Sequence, residues 1–252
     1  MKIDVLTLFP EMFEAVFGVS VLKNAVDNNL LELKYINIRD YSDDKHKRVD
    51  DYPYGSGGGM VMQPAPIYNA YKNIEKECGH RPYVIYMSPQ GKLFDQSKAI
   101  ELSKRDHMVL LCGHYEGIDQ RILDEIVDEE ISMGDYVLTG GEIAAMAVID
   151  ACARMVPGVL DSEETFTHES LFEGLLEYPQ YTRPPEFLGR EVPEILLSGH
   201  HANIERWRRQ QALIVTEKKR PDLLANANLS EEDIAFLKKY LQCKENCDII
   251  PD

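Results

Sequence analysis

The stretch Ser132-Met133-Gly134-Asp135-Tyr136-Val137-Leu138-Thr139-Gly140-Gly141-Glu142 decides how this chain is read. It leaves a short strand signal near Glu129–Met133 and enters a helical pattern over Glu142–Met155, which Pro157-Gly158 stops. Strand, glycine-bearing loop and helix in that order form the unit of a parallel α/β sheet, in which ligands collect beyond the carboxyl ends of the strands. Working towards the amino terminus, Cys112-Gly113-His114-Tyr115-Glu116-Gly117 leaves a strand at Met108–Cys112. Tyr86-Met87-Ser88-Pro89-Gln90-Gly91 leaves another at Tyr83–Met87. Each loop alone reads equally as an ordinary tight turn. Three of them within residues 86–142 favour one ligand-binding rim. Further strands are expected at Ile3–Phe9 and Leu33–Ile38, and helices at Val21–Asn28, Pro66–Glu77, Asp95–Ser103 (with Asp95 as its N-cap) and Gln120–Ile126.

The densest glycine run, Gly55-Ser56-Gly57-Gly58-Gly59-Met60, lacks the Lys-Ser/Thr ending of a P-loop and the third glycine of a dinucleotide fingerprint. It also follows Asp51-Tyr52-Pro53-Tyr54 rather than a strand. Nucleotide-phosphate cradles of both kinds are therefore excluded.

The chain of 252 residues, 44% hydrophobic and 28% charged, has room for one large or two smaller domains. No apolar run reaches the roughly 20 residues that span a bilayer. The opening MKIDVLTLFP, interrupted by Asp4, reads as a strand and not as a signal segment. Five cysteines, an odd number without paired spacing, point to a reducing cytoplasm. Neither Cys243 with Cys247 nor His200-His201 finds further ligands at metal-site spacing, so no metal ligands are expected.

Three segments are expected: residues 1–157 as the ligand-binding domain, 158–172 as a linker or lid, and 173–252 as a smaller helical domain. In the last, Ile204, Trp207, Gln211 and Ile214 follow helical spacing as an inner face, with Arg206 and Arg209 pointing elsewhere. A final helix starts at Ser230, with Asp233 completing a capping box. A net charge of −16 opposes binding to a polyanion, yet Arg206, Arg208, Arg209, Lys218, Lys219 and Arg220 outnumber Glu205 and Glu217 between residues 200 and 220. A second basic knot is Lys45-His46-Lys47-Arg48; either reads as a nucleic-acid surface or as a solvated face.

The stretches LFPEMF (8–13), VDDYPYGSGGGMVM (49–62), SPQGKLFDQ (88–96), CGHYEGIDQR (112–121), GDYVLTGGE (134–142), PGVL (157–160), GLLEYPQYTRP (174–184) and LLSGHH (196–201) resemble the bacterial tRNA (guanine-N1)-methyltransferase family, from about residue 1 to residue 225. The resemblance implies an α/β fold of SPOUT type: a mostly parallel sheet with a C-terminal trefoil knot, which no sequence pattern would suggest, plus the small helical domain. It implies methyl transfer from S-adenosylmethionine (SAM) to the guanine at tRNA position 37, next to the anticodon, by a homodimer with active sites at the subunit interface. By the same resemblance, SAM is held by Tyr86, Met87, Ser88, Pro89 and Gln90, by Gly113 and Tyr115, and by Met133, Gly134, Asp135, Tyr136, Val137 and Leu138, with Gly140 and Gly141 beside them. Asp50, Gly59 and Glu116 then enclose the guanine, and Arg208 and Arg209 meet the tRNA. His114 stands where the family often has arginine, and Glu169 where it usually has aspartate. Guanine N1 carries a proton at neutral pH, so transfer to it needs a general base and a stabiliser for charge growing on O6. The resemblance assigns these roles to Glu169, ahead of the nearby Glu173 and Glu177, and to Arg154. It also implies assistance by Mg²⁺, for which the sequence offers no dedicated cage. Two other readings stay open: a catalytically inactive RNA-binding protein of the same fold, and a methyltransferase acting on another RNA.

Overall fold

Alternation along the strands builds a helix-covered sheet. Ile3 and Val5 point to one face of the first strand and Leu6 to the other, and all three are fully buried. The structure is a computed structural model that describes residues 1–55, 58–160, 170–172 and 174–247, with side chains to residue 242. It divides into two compact units, residues 1–163 and 164–252.

The first unit contains β1 (Lys2–Thr7), α1 (Pro10–Phe17), α2 (Ser20–Asp27), β2 (Glu32–Asn37), the short β3 (Asp50–Asp51) and β4 (Val61–Met62), α3 (Pro64–Cys78), β5 (Tyr83–Leu93), α4 (Gln96–Ser103), β6 (His107–Cys112), α5 (Gln120–Ile126), β7 (Glu129–Ser132) and α6 (Glu142–Ala153). Five strands form one sheet in the order β2-β1-β6-β5-β7, every neighbouring pair parallel. One face packs against α1, α4 and α6 through residues such as Phe13, Leu102, Val148 and Ile149. The other packs against α3 and α5 through Ile67, Ile74 and Ile122. Fully burying each such side chain is worth about 1.5–3 kcal/mol, so these two layers dominate the stability of the unit. β6 lies on one side of β5 and β7 on the other, so the direction of sheet growth reverses there and opens a crevice at the carboxyl ends.

All five expected strands of this sheet are present, as are the five expected helices, with ends shifted by a few residues. The Asp95 carboxylate accepts from the Lys98 N–H at 2.8 Å and caps α4 as expected. Two differences matter. The helix α1, which begins with Pro10, was not foreseen. And Ser88-Pro89-Gln90-Gly91, read as the exit from a strand ending at Met87, remains inside β5 as a bulge. Ile131 of β7 pairs with Met87 before the bulge and with Lys92 after it.

The second unit holds β8 (Glu186–Phe187), β9 (Arg190–Glu191), α7 (Glu194–Leu197), α8 (His201–Lys219), α9 (Pro221–Leu224) and α10 (Glu231–Cys247). Its core is Leu175, Ala212, Leu213 and Leu237. The inner face of α8 is therefore Ala212, Leu213 and Thr216, whereas Ile204, Trp207, Gln211 and Ile214 are only half-buried. Arg209 does not point away from α10: its Nη2 lies 2.9 Å from Asp233 Oδ2 on that helix. The capping box at Ser230 is present in both directions, with Ser230 N–H donating to Asp233 and Asp233 N–H to Ser230 Oγ.

Candidate active site

The carboxyl ends of β5, β6 and β7 surround a cavity of about 450 Å³, within the range of small-molecule sites. Gly91, in the β5 bulge, lets the backbones of β5 and β7 close on one another. A Cβ there would stand 2.3 Å from the carbonyl carbon of Glu130, which no side chain allows. Gly141 does the same for the loop before α6, where a Cβ would fall 2.8 Å from Cα of Cys112. On the loop after β6, Tyr115 holds φ at +60°, a strained value for a tyrosine, and exposes its ring at the rim.

Every residue read as a SAM contact lines this cavity except Asp135, which is exposed and lies outside the lining. Tyr86 forms part of the floor. Burial, reinforced by Glu130 and Cys112, pushes its phenol above the usual range and keeps it neutral. Tyr136, Val137 and Leu138 are exposed on the other side. Glu116 and Glu130 also line the cavity and give it a negative cast.

Sequence reasoning missed a polar clip behind the cavity. Glu142, in the first turn of α6 and only 2% exposed, accepts a hydrogen bond from Thr7 Oγ1 at 2.7 Å and lies 2.7 Å from Nε2 of His114. The Thr7 hydroxyl in turn accepts from the Phe9 N–H at 3.0 Å. Acidic charge in a first helical turn is favourable, and both carboxylate oxygens have partners. His114 thus fastens the loop after β6 to the start of α6, and an isolated bridge between His114 and Gly140 runs beside it.

The expected guanine contacts gather through the β3–β4 pair. Asp50 pairs with Met62, the Met62 N–H donates to Gly117 O, and the Glu116 N–H donates to Met60 O. Gly59 is brought so close to Glu116 that a Cβ on it would meet Glu116 Cγ at 2.5 Å. Arg154 caps the C-terminus of α6, its N–H donating to Asp150 O. Ala144 of the same helix lines the cavity, so Arg154 stands about 15 Å further along the axis at 1.5 Å per residue. Glu169 and Glu173, like most of the expected lid, lie outside the described residues, as do Ser56 and Gly57. In the second unit Arg208 reaches Glu205 at 2.7 Å and sits 5.1 Å over the Tyr178 ring. Arg206, Lys218 and Lys219 are exposed.

Fold and site define an α/β protein with a small-molecule cavity on the carboxyl edge of a parallel sheet. Over residues 1–226 its sequence matches the family described as tRNA (Guanine-1)-methyltransferase TrmD, and the chain belongs to that family. Similar relatives are a tRNA (guanine-N(1)-)-methyltransferase of Ruminiclostridium cellulolyticum, 62% identical over 91% of this chain and 100% of its own, and one of Alkaliphilus oremlandii, 55% identical over 95% and 98%. A protein of that name from Staphylococcus aureus is 54% identical over 95% and 97%. No helix among the described residues is long and apolar enough to cross a membrane.

Proposed function

We propose that the protein transfers the methyl group of SAM to N1 of the guanine at position 37 of tRNA, in the cytoplasm. The observation that carries this reading is that β5, β6 and β7 close on one cavity in a chain of this family. The cavity suits SAM. Gly113 and Gly141 line the cavity, the buried Tyr86 offers a neutral wall, and Glu116 and Glu130 suit a cationic ligand. When bound, SAM supplies an electrophilic methyl group on a sulfonium. Around it, Gly140 shapes the wall, and Asp50, Gly59 and Glu116 enclose the splayed-out guanine.

Glu169 takes the N1 proton, and the guanidinium of Arg154, which keeps its charge at any working pH, stabilises the charge that gathers on O6. Arg208 faces the tRNA backbone, while Arg209 holds α8 to α10 through Asp233. In this reading residues 1–157 bind SAM, 158–172 form the lid and 173–252 bind tRNA. The chain threads a trefoil knot around the SAM site, with Gly140 and Gly141 lining it.

The active enzyme is a homodimer. Arg154 stands a helix length from the cavity of its own chain, so it serves the cavity of the partner subunit. α1 and α2 offer an apolar surface for that pairing: Met12, Val16, Val19 and Val21 are exposed there, as is Ile143 of α6. The family match weighs against an inactive RNA-binding protein and against a different RNA substrate.

The test is methylation of tRNA transcripts with radiolabelled SAM, followed by nucleoside mass analysis. N1-methylguanosine is expected in a transcript with guanine at position 37 and is expected to vanish when that base is adenine. Label at another position, or none with either transcript, overturns the proposal.

A further inference from the structure

At the opposite, amino-terminal edge of the sheet lies a cluster that methyl transfer does not use. Cys78 closes α3, His80 follows it across Gly79, and His107 opens β6. One ligand atom from each lies within 4.8 Å of the others. The His107 side chain is 7% exposed, and its Nε2 stands 2.8 Å from Oδ2 of Asp4, itself 2% exposed. Nδ1 of His107 and Oδ1 of Asp4 are buried without hydrogen-bond partners.

A buried ring nitrogen without a partner costs free energy unless a ligand takes it. With Nε2–H donated to Asp4, Nδ1 is the nitrogen of His107 that keeps a lone pair. The His80 ring meets the His107 ring edge-on, with centroids 5.6 Å apart. Nδ1 of His80 stands 3.1 Å from the Cys78 carbonyl oxygen, which suits an N–H there and leaves the other nitrogen free to ligate. One thiol, two imidazoles and a carboxylate behind one imidazole form the donor set of a zinc site with a carboxylate–histidine–zinc relay.

We propose that Cys78, His80 and His107 bind one Zn²⁺, with Asp4 orienting His107 and a water completing the tetrahedron. Zinc bonds of about 2.3 Å to sulfur and 2.0–2.1 Å to nitrogen draw the three ligand atoms in to roughly 3.5 Å of one another. His80 is exposed and sits in the turn after α3, so it supplies that movement. The ion ties the end of α3 to the start of β6, far from the methyl-transfer cavity.

The experiment is a Co²⁺ titration of the metal-stripped full-length protein in a Cys243→Ser/Cys247→Ser background, which removes the thiols of the tail. One Co²⁺ per chain is expected, with a thiolate-to-cobalt charge-transfer band that Zn²⁺ abolishes by displacement. Cys78→Ser, at a half-buried helix end, is expected to keep the circular dichroism of the parent and lose the band. Asp4→Asn is expected to weaken binding about 10–100-fold while leaving the band in place at saturation. Absence of the band in the parent, or its survival in Cys78→Ser, overturns the proposal.

Discussion

At Glu142 a nearly inaccessible carboxylate depends on two donors, Thr7 and His114, and the same contacts hold the cavity wall. His114→Ala leaves that carboxylate one partner short, a loss of about 1–3 kcal/mol measurable by urea unfolding. It also unfastens the loop after β6, so calorimetry is expected to find SAM binding weakened about tenfold, near 1.4 kcal/mol. Arg154→Ala, by contrast, is expected to leave SAM affinity within about twofold and to lower turnover at least about 100-fold in single-turnover assays. Near-normal turnover in that variant removes Arg154 from the mechanism. The individual contact residues came from the family resemblance, whereas the ligand-binding rim could be read from the sequence because three glycine-bearing loops follow strands within residues 86–142. Glu142 could not: in the sequence it opens a helix, and Thr7 lies 135 residues away. The His80–His107 pairing was hidden in the same way, since the sheet and not the local spacing brings the two rings together.

Among the elements, the β5 bulge sets the shape of the site, and Gly91 permits it. Gly91→Ala would drive a methyl into the Glu130–Ile131 backbone. The expected cost is about 1–3 kcal/mol, with a lowered unfolding midpoint and loss of SAM binding. The sequence placed the strand correctly but ended it at Met87, because Ser-Pro-Gln-Gly carries the chemistry of a turn. The Gln90 N–H does donate to Ser88 Oγ, yet β7 recaptures the strand beyond. On α8, Arg209 bonds to Asp233 while Arg208 lies near the surface. Arg208→Glu is therefore expected to weaken tRNA binding and flatten its salt dependence, and Arg209→Glu to destabilise the second unit first. Burial pushes the Asp233 carboxyl up, but Arg209 and Ser230 outweigh it and hold the group below the ordinary carboxylate value. Its contribution is thus fully present above the unfolded pKa of about 3.9 and is lost as pH falls through the lower folded value. Asp233→Asn should flatten the acid limb of thermal unfolding below about pH 4.

On the scale of the whole molecule, the alternation of strands and helices was legible from periodicity, and the sheet order was not. No local pattern says that β6 and β7 settle on opposite sides of β5, nor that Arg154 ends up a helix length from its own cavity. Subunit mixing tests the second point. Dimers assembled from Arg154→Ala and Gly140→Ala chains are expected to regain activity that neither parent has, because the intact cavity of the first receives the arginine of the second. If Arg154 serves its own chain, the mixture stays inactive. Replacing Val16 and Val19 by lysine should yield monomers in sedimentation and abolish turnover.

The hydroxyl of Thr7 belongs to the first strand made, and its carboxylate partner to the last helix of that unit. A chain growing from the ribosome cannot join them until nearly the whole first unit has emerged, so this contact can neither nucleate the domain nor shelter its early intermediates. Synthesis stalled before residue 142 would leave a nascent protein with all five strands of its main sheet made and Thr7 still without its carboxylate partner.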